Sequence, residues 1–369
     1  MKKKILFFHF DLGNGGAEKA LVNLLKCLDY QRYDITLFLL FNYGVNLAFL
    51  PPNVKLRYLF NRSPFRGVTQ LLKILSPKAL HKLLIKDRYD VEIAYMEGSP
   101  TRIVGACPYE ETRLYSWVHT QDDRGFFNPY RTLGEAKKTY LKFDKILFVS
   151  DNAKQTFEEK MGWESLSLGV CHNVIDSDDI KEKSQETIDI NISSSQLNIC
   201  SVGRLTEVKG YARLLRILGQ LKDNVKIDWR LYILGQGEQK QLLESILAKF
   251  GLQERIHLLG YDANPYKYVS KMDVFVCSSY KEGYSTAVTE SIVVGTPVIT
   301  TDCSGMREII GDSKAGIIVE NSDEGLKGVL EDLLNGKINI KELKVNALKR
   351  SNYFGQSNIK EFEDVINEV

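Results

Sequence analysis

Two glutamates and a glycine turn in the second half of the chain could bind a ligand that carries both phosphate and hydroxyl groups. Glu282 and Gly283 follow the apolar run 274–277, and Glu290 lies in the helical stretch 285–294. A helix that begins after such a turn offers free backbone N–H groups and a positive dipole end, which suit a phosphate. The carboxylates accept hydrogen bonds from hydroxyl groups. We interpret this stretch as a site for a sugar nucleotide.

Two cations follow an earlier predicted strand. Arg204 comes directly after the predicted strand 198–203, and Lys209 begins the helical stretch 209–221. Two cations at one sheet edge can neutralise a diphosphate as it becomes a leaving group, which stabilises charge that develops in the transition state. A solvated pair of surface cations is the alternative, and both interpretations stay open on the sequence alone.

A glycine-rich turn at residues 13–18 also joins a predicted strand to a predicted helix. Its backbone N–H groups, those of Gly15 and Gly16 included, suit a phosphate or a carbohydrate hydroxyl. The GxGxxG spacing is absent, and no acidic residue closes the next strand as a ribose clamp, which argues against a dinucleotide fold. A plain tight turn is the alternative interpretation.

A histidine ends the apolar run 114–118. The carboxyl end of a parallel strand faces the ligand-binding edge of its sheet, so His119 is a candidate site residue. Asp122 and Asp123 follow closely, and they either raise the pKa of His119 or contact an acceptor. A lone histidine elsewhere is usually structural.

Alternating strands and helices position these residues. Strands are predicted at 4–10, 35–40, 55–60, 91–96, 114–118, 145–149, 198–203, 230–235, 256–260, 274–278 and 298–301. Helices are predicted at 17–28, 209–221, 238–250, 285–294 and 356–368. This alternation predicts an α/β fold with parallel, doubly wound sheets.

The chain has 369 residues, too many for one ordinary core, which predicts two domains. The first spans residues 1–176 and the second 197–350. Between them, the polar stretch 177–196 reads as a linker or surface excursion. A terminal segment follows at 351–369.

Composition excludes several classes of protein. With 44% hydrophobic and 26% charged residues, the chain is typical of a globular protein, and its net charge of +2 gives no global field for nucleic acid. No apolar stretch has the length of a membrane span. The six cysteines form no CxxC pair and predict a reducing compartment: they are residues 27, 107, 171, 200, 277 and 303. We expect the chain to be cytoplasmic or peripheral on a membrane.

Residues 62–88 depart from the alternation and are strongly basic. They contain seven Lys or Arg residues and one acidic residue, Asp87. Apolar residues recur there at helical spacing, and Ser76 and Pro77 are a plausible cap and first position of a helix. The segment is either an ordinary amphipathic element packed on its own domain or a surface that lies on an anionic membrane.

Taken together and in this order, the motifs resemble those of glycosyltransferase family 4, and the resemblance covers nearly the whole chain. The motifs are Gly15-Gly16-Ala17-Glu18, His119, Asn173-Val174-Ile175-Asp176, Gly203-Arg204 with Lys209-Gly210, and Glu282 with Glu290. The resemblance implies the GT-B fold, in which two Rossmann-like domains face each other across a cleft and the last helix returns to the first domain. It also implies sugar transfer from a nucleotide donor, with retention of anomeric configuration and without a metal.

The resemblance also implies roles for single residues. Arg204 and Lys209 would hold the donor diphosphate, and Glu290 would take the ribose hydroxyls. Catalysis would fall to His119 and Glu282. The remaining donor-binding residues would be Gly16, which approaches the phosphate, and Gly283, Tyr284 and Ser285, which lie beside the donor sugar. Acceptor contacts would come from Gly15, Asp122 and Asp123.

The leading hypothesis is a retaining transferase that moves a hexose or N-acetylhexosamine from a UDP-sugar to a lipid-linked or oligosaccharide acceptor in bacterial surface polysaccharide synthesis. Uridine is the base that the family uses most often. Residues 62–88 would then hold the enzyme to the cytoplasmic leaflet. A catalytically silent GT-B partner protein and a GT-B sugar-nucleotide epimerase are the alternatives.

Overall fold

The computed structural model describes residues 1–119, 127–163 and 166–367, and of Gln356 and Ser357 only the backbone. The chain divides into two compact units. Unit 1 comprises Met1–Val174 and the chain from Gln356 onward, and unit 2 comprises Ile175–Gly355. Two predicted acceptor contacts, Asp122 and Asp123, lie outside the described residues.

Unit 1 is built on a parallel sheet. Its strands are β1 (Lys3–His9), β2 (Tyr33–Phe41), β3 (Lys55–Phe60), β4 (Val91–Ala94), β5 (Arg113–Val118), β6 (Lys145–Phe148) and β7 (Leu168–Val170). They lie in the order β3-β2-β1-β4-β5-β6-β7. The central strands are almost wholly buried, because helices cover both faces of such a sheet.

The helices of unit 1 surround this sheet. They are α1 (Gly16–Cys27), α2 (Val68–Ile74), α3 (Pro77–Leu84), α4 (Ser99–Val104), α5 (Leu133–Tyr140), α6 (Asp151–Met161) and the last helix of the chain, Gln356–Asn367. The last helix packs on the sheet: the ring of Phe362 stacks on Phe7, with centroids 6.0 Å apart, and lies 5.8 Å from Trp117. The hydroxyl of Tyr115 donates a hydrogen bond of 3.0 Å to the carbonyl of Val365. The last helix therefore belongs to unit 1.

Unit 2 has its own parallel sheet and its own core. The strands are β8 (Leu197–Val202), β9 (Trp229–Leu234), β10 (Ile256–Gly260), β11 (Val274–Cys277), β12 (Val298–Thr301) and β13 (Gly316–Val319), in the order β10-β9-β8-β11-β12-β13. The helices are α7 (Ser177–Lys183), α8 (Tyr211–Leu221), α9 (Lys240–Phe250), α10 (Tyr266–Val269), α11 (Thr286–Val293), α12 (Met306–Ile310), α13 (Asp323–Leu334) and α14 (Ile340–Ser351). We label the last helix of the chain α15.

Both sheets follow the doubly wound pattern, so the predicted fold class is confirmed. Strand order reverses between β1 and β4 in unit 1 and between β8 and β11 in unit 2. In open parallel sheets, ligands bind outside the carboxyl ends of the strands at such a reversal. Each unit therefore has one preferred place for a site.

The boundaries differ from the prediction at both junctions. The units separate after Val174 and after Gly355, where the sequence suggested 176 and 350. The polar stretch 177–196 belongs to unit 2 and begins with α7, whose Ile180 is buried. Two strands, β7 and β13, were not predicted.

None of the helices in the described ranges combines the length and the apolar character that crossing a bilayer requires.

Candidate functional site

The carboxyl ends of β8 and β11 form the candidate site of unit 2. The two strands are hydrogen-bonded neighbours at the reversal of strand order. Residues 203–210 lead from β8 to α8, and residues 278–285 lead from β11 to α11, so both loops leave the same edge of the sheet. The fold thus brings the two predicted motifs of unit 2 together.

Lys209 and Glu282 form an ion pair at this edge. The Lys209 ammonium donates to both carboxylate oxygens of Glu282, at 2.8 and 3.0 Å, and the hydroxyl of Ser279 donates to Oε1 at 2.5 Å. The side chains of Lys209 and Glu282 are only 23% and 10% exposed. Burial is the largest single influence on the pKa of Lys209 and lowers it. The charge and the hydrogen bond of Glu282, together with the nearby Cys277, outweigh burial and raise the pKa above its ordinary value. Lys209 is therefore a charged ammonium with a fixed direction.

Arg204 lies beside this pair and differs from it in exposure. The side chain of Arg204 is exposed. Its positive charge lowers the pKa of Lys209, whereas Glu282 raises that pKa. Among the described residues no carboxylate pairs with Arg204. Lys209 is paired with a glutamate, and Arg204 is open to solvent. Arg204 therefore leaves positive charge at this edge for an incoming anion. A small cavity beside them is lined by Ser201, Lys209, Tyr211, Cys277, Glu282 and Ser285.

Gly210 allows the two loops to approach each other. Its φ of +67° is in the left-handed region, and a Cβ there would lie 2.0 Å from the carbonyl oxygen of Ser278. The Ser278 hydroxyl in turn donates a hydrogen bond of 3.0 Å to the carbonyl of Lys209. Only glycine fits this position, because both the backbone angle and the space exclude a side chain.

Arg213, which sequence reasoning missed, fixes the loop that carries Glu282. The residue is 2% exposed, and its guanidinium donates to the carbonyls of Ser278 and Ser279 at 2.9 and 2.8 Å. It also donates to Asn321 Oδ1 at 2.8 Å and stacks over the ring of Tyr280 at 3.9 Å. The signal was present: Arg213 stands on the stripe with Ile217 and Leu221, where an amphipathic helix places apolar residues.

The loop 278–285 ends in α11, as predicted. Ser285 caps this helix, because its hydroxyl accepts a hydrogen bond from the backbone N–H of Val288. Tyr284 is buried, and Gly283 is half-buried. Glu290 lies in the second turn of α11, with 5% of its surface exposed. The structure therefore places the predicted donor-binding residues of this loop on one short segment after β11.

In unit 1, His119 lies directly after β5, as the sequence indicated. Its backbone N–H donates to Glu97 Oε2 at 3.0 Å. The expectation of a raised pKa is wrong: burial, together with the nearby His9, lowers the pKa of His119 to about 3, although a hydrogen bond to the backbone of Tyr95 acts in the opposite direction. His119 is therefore a neutral imidazole at pH 7.

His9 is a second histidine at the carboxyl ends of the unit 1 strands. It ends β1, the neighbour of β4 at the reversal of strand order, and it is fully buried. Its Nδ1 lies 2.6 Å from the carbonyl oxygen of Asp11, so Nδ1 carries the proton of the neutral ring. Burial lowers the pKa of His9 to about 4. The argument that selected His119, a histidine at a strand end, could have found it.

The glycine loop of unit 1 holds a carboxylate of its own. Gly15 is the N-cap of α1 and Gly16 is its first residue, as the predicted strand-to-helix turn requires. A Cβ at position 15 would lie 2.0 Å from Glu18 Oε2, so the Glu18 carboxylate occupies space at the positive end of α1. Phosphate binding at this loop stays a prediction.

One group of metal-ligating side chains occurs in the described ranges of the chain. Ligand atoms of His81, Glu92 and Cys107 lie within 4.8 Å of one another. His81 Nε2 lies 2.9 Å from Glu92 Oε2, and the Cys107 thiol donates to Oε1 at 3.6 Å. These contacts satisfy the buried carboxylate without an ion. We assign the cluster to the packing of α3 on β4.

The chain matches a family model and resembles characterised proteins. The model, described as glycosyl transferases group 1, matches residues 182–350. The N-acetylgalactosamine-N,N'-diacetylbacillosaminyl-diphospho-undecaprenol 4-alpha-N-acetylgalactosaminyltransferase of Campylobacter jejuni is 31% identical over 89% of this chain and 91% of its own. A second Campylobacter jejuni protein, a GalNAc-alpha-(1->4)-GalNAc-alpha-(1->3)-diNAcBac-PP-undecaprenol alpha-1,4-N-acetyl-D-galactosaminyltransferase, is 27% identical over 97% of this chain and 96% of its own.

Solved structures share the fold. HepE of Anabaena, crystallised with UDP and glucose, superposes with a TM-score of 0.77 over the whole of both chains at 18% sequence identity. At that identity the likeness concerns the arrangement of strands and helices alone.

Proposed function

The chain belongs to the family of glycosyl transferases group 1, and from this premise we propose a retaining, metal-independent transfer of a hexose or N-acetylhexosamine from a UDP-sugar. Two doubly wound units of the kind described above make up the GT-B fold. The proposed acceptor is a lipid-linked saccharide or oligosaccharide in bacterial surface polysaccharide synthesis.

One observation carries the donor proposal: Lys209, Glu282 and Arg204 meet at the strand reversal of unit 2. In the proposal the diphosphate lies against Arg204 and Lys209, and Glu282 accepts a hydrogen bond from the donor sugar. The ion pair between Lys209 and Glu282 supports these two roles. It fixes the positions of the ammonium and the carboxylate side by side before the donor binds. Glu290 is proposed to take the ribose hydroxyls. The backbone of Gly283, Tyr284 and Ser285 would lie beside the sugar.

The names of the relatives support the donor and the acceptor classes. Both Campylobacter jejuni relatives are named as N-acetylgalactosaminyltransferases that act on saccharides linked through diphosphate to undecaprenol. An N-acetylhexosamine donor and a polyprenyl-diphosphate-linked acceptor are therefore the first combination to test. Uridine as the base is supported by the family's commonest usage.

The reaction step proposed is an attack on the face of the sugar from which the diphosphate leaves. The bond between the anomeric carbon and the diphosphate oxygen breaks, the acceptor oxygen bonds to that carbon, and the acceptor proton goes to the diphosphate. Arg204 and Lys209 stabilise the negative charge of the leaving group, so the proposal needs no metal ion. Transfer that persists unchanged in EDTA would support the metal-independent form, and a glycosyl-enzyme trapped on any side chain would refute the same-face step.

Roles in unit 1 stay predictions. A neutral His119 can exchange a hydrogen bond with the sugar near the reacting carbon, whereas an imidazolium would not be available at pH 7. Contacts of Gly16 with the phosphate, and of Gly15, Asp122 and Asp123 with the acceptor, are proposed on the resemblance. We place the enzyme on the cytoplasmic face of the plasma membrane, where a lipid-linked acceptor lies.

The test is a donor and acceptor screen with the full chain. We expect release of UDP from one UDP-N-acetylhexosamine or UDP-hexose, and sugar transfer to a synthetic polyprenyl-diphosphate saccharide with the anomeric configuration retained. An inverted product would overturn the retaining proposal. Epimerised sugar nucleotide without transfer would favour the epimerase alternative, and absence of any turnover with every UDP-sugar would overturn the donor proposal.

A further inference from the structure

We propose that α2 and α3 form a docking surface for an anionic lipid membrane, and we call residues 62–88 the lipid-docking surface. The inference rests on the proposed function, because a lipid-linked acceptor lies in a membrane. It names the elements that make contact and the chemistry of the partner. The partner is a bilayer whose headgroups carry negative charge.

The lipid-docking surface exposes large aliphatic side chains on its outer side. Leu71, Ile74, Leu75 and Leu83 are 50%, 71%, 42% and 56% exposed. The inner sides of the same helices are already satisfied by other apolar residues, which are buried in the core of unit 1: Val68, Leu72, Leu80 and Leu84. The four exposed aliphatic residues are thus not needed for packing these helices on the core of unit 1. Clustered exposed aliphatic residues mark a site of interaction.

Basic side chains lie on the same segment as these aliphatic residues. Lys78, Lys82 and Lys86 are exposed and Lys73 is half-buried, and within the described part of the chain none of the four has a carboxylate at ion-pair distance. The acidic residue of the segment, Asp87, is already paired with Arg57 at 2.7 Å. A segment that exposes both lysines and aliphatic side chains is complementary to a bilayer, because anionic headgroups attract the charges and acyl chains accept the apolar groups.

Two guanidinium groups hold the surface in this shape, that of the buried Arg102 and that of the exposed Arg131. Arg102 is 1% exposed and donates to the carbonyls of Leu72 and Leu75 at 3.0 and 3.1 Å, while its Nε donates to Glu135 at 2.7 Å. Arg131 donates to the carbonyl of Ile74 at 2.8 Å. Two guanidinium groups thus satisfy the carbonyls at the end of α2, which would otherwise need water.

A buried pair fixes the second helix. His81 of α3 lies 2.9 Å from Glu92 of β4, and both side chains are withdrawn from water. Because both helices are tied to the body of unit 1, the exposed aliphatic residues are presented by ordered elements.

Helix α5 extends the surface beyond residues 62–88. It begins two residues after Arg131, which reaches the end of α2. Its buried side is formed by Ala136 and Tyr140, and its outer side exposes Leu133 and the neighbouring lysines 137 and 138. The same combination of aliphatic and basic side chains recurs there.

The experiment measures co-sedimentation of the full chain with vesicles. The vesicles contain phosphatidylglycerol and phosphatidylcholine in a 1:3 ratio, or phosphatidylcholine alone. We expect binding to the anionic vesicles that weakens as NaCl increases, and far weaker binding to phosphatidylcholine. Replacing Lys73, Lys78, Lys82 and Lys86 together by Gln should weaken binding by about 100-fold or more.

A second variant tests the aliphatic residues separately. Leu71→Ser, Ile74→Ser, Leu75→Ser and Leu83→Ser combined should weaken binding to the anionic vesicles at least about tenfold. Matched controls are Val345→Ser with Leu348→Ser, and Lys341→Gln with Lys349→Gln, all exposed on α14 of unit 2. These controls should bind as the parent chain does. Parent protein that does not bind anionic vesicles, or surface variants that bind like the controls, would overturn the proposal.

Activity on a water-soluble acceptor separates this inference from the proposed function. The variants should retain the parent rate of transfer to a short-chain acceptor without vesicles, which also shows that they are folded. Vesicle binding by a parent chain that transfers no sugar would leave the lipid-docking surface in place and overturn the transfer proposal. Sugar transfer by a parent chain that binds no vesicles would support the transfer proposal and overturn the lipid-docking surface.

Discussion

Lys209 donates two hydrogen bonds to Glu282, and both side chains are largely withdrawn from water. Removing one partner of such a pair leaves the other charge without compensation, whereas removing both does not. A substitution at either residue therefore also changes the electrostatic environment of the other.

A double-mutant cycle measures this coupling. Lys209→Met and Glu282→Gln should each lower the free energy of unfolding, and the double variant should lose less than the sum of the two by about 1–3 kcal/mol. Urea unfolding gives the three differences. The control is the exposed pair Lys240 and Glu244 on α9, 3.8 Å apart, whose coupling should stay below about 0.5 kcal/mol. Equal coupling in the two cycles would contradict the prediction.

Kinetics distinguish the two glutamates. Glu290→Ala should raise the donor KM by about 10- to 100-fold, the loss expected for hydrogen bonds to a charged group, with little change in kcat. Glu282→Ala should mainly lower kcat, because it removes a sugar contact near the reaction and also releases Lys209. Steady-state rates measured against donor concentration give KM and kcat for each variant. The opposite pattern would mean that the two glutamates have exchanged roles.

At the scale of elements, Arg213 connects α8 to the loop after β11. Arg213→Ala removes donors from the buried carbonyls of Ser278 and Ser279, so the free energy of unfolding should fall by about 2–5 kcal/mol. Because the same loop carries Glu282, kcat should fall as well. Arg216→Ala, on the exposed side of α8, is the matched control and should change neither quantity. A loss of stability with unchanged kcat would show that Arg213 does not position the site.

The sequence predicted those elements whose own residues carry a strong pattern. The buried strands β1, β2 and β8 are rich in apolar residues, so their positions were predicted to within two residues. Strands β7 and β13 have three and four residues, all half-buried, and each pairs along one edge only. Such strands are defined by the neighbour they join, which a local pattern does not reveal.

The site was predictable to the same extent. Arg204, Lys209, Glu282 and Glu290 were selected as candidates because each follows a recognisable strand, and their roles in binding stay predictions. The ion pair was not, because its partners are 73 residues apart and meet only once β8 and β11 are neighbours. The pKa of His119 was predicted in the wrong direction, because burial is a property of the folded unit and outweighs nearby acidic residues in the sequence.

At the scale of the whole molecule, the histidines are divided unequally. Four of the five, residues 9, 81, 119 and 172, lie in unit 1, and His257 lies in unit 2. Burial lowers the pKa of His9 to about 4, whereas an unfolded histidine has a pKa of about 6.5. Between these values the unfolded chain binds a proton that the folded chain does not, so the free energy of unfolding falls as pH falls through this window. His119 acts in the same direction, with a pKa of about 3.

Unit 1 should therefore lose stability in mild acid before unit 2 does. From pH 7.5 to pH 5, His9 alone should cost unit 1 about 2 kcal/mol, because 1.4 kcal/mol corresponds to one pH unit below 6.5. Hydrogen exchange, corrected for the intrinsic rate at each pH and resolved by peptide, measures the opening free energy of each unit. His9→Gln should reduce the pH response of unit 1 by about the same amount, while His257→Gln, at a partly exposed position, should leave it unchanged. An identical pH response with and without His9, or earlier opening of unit 2, would show that the buried histidines do not set the acid stability of the chain.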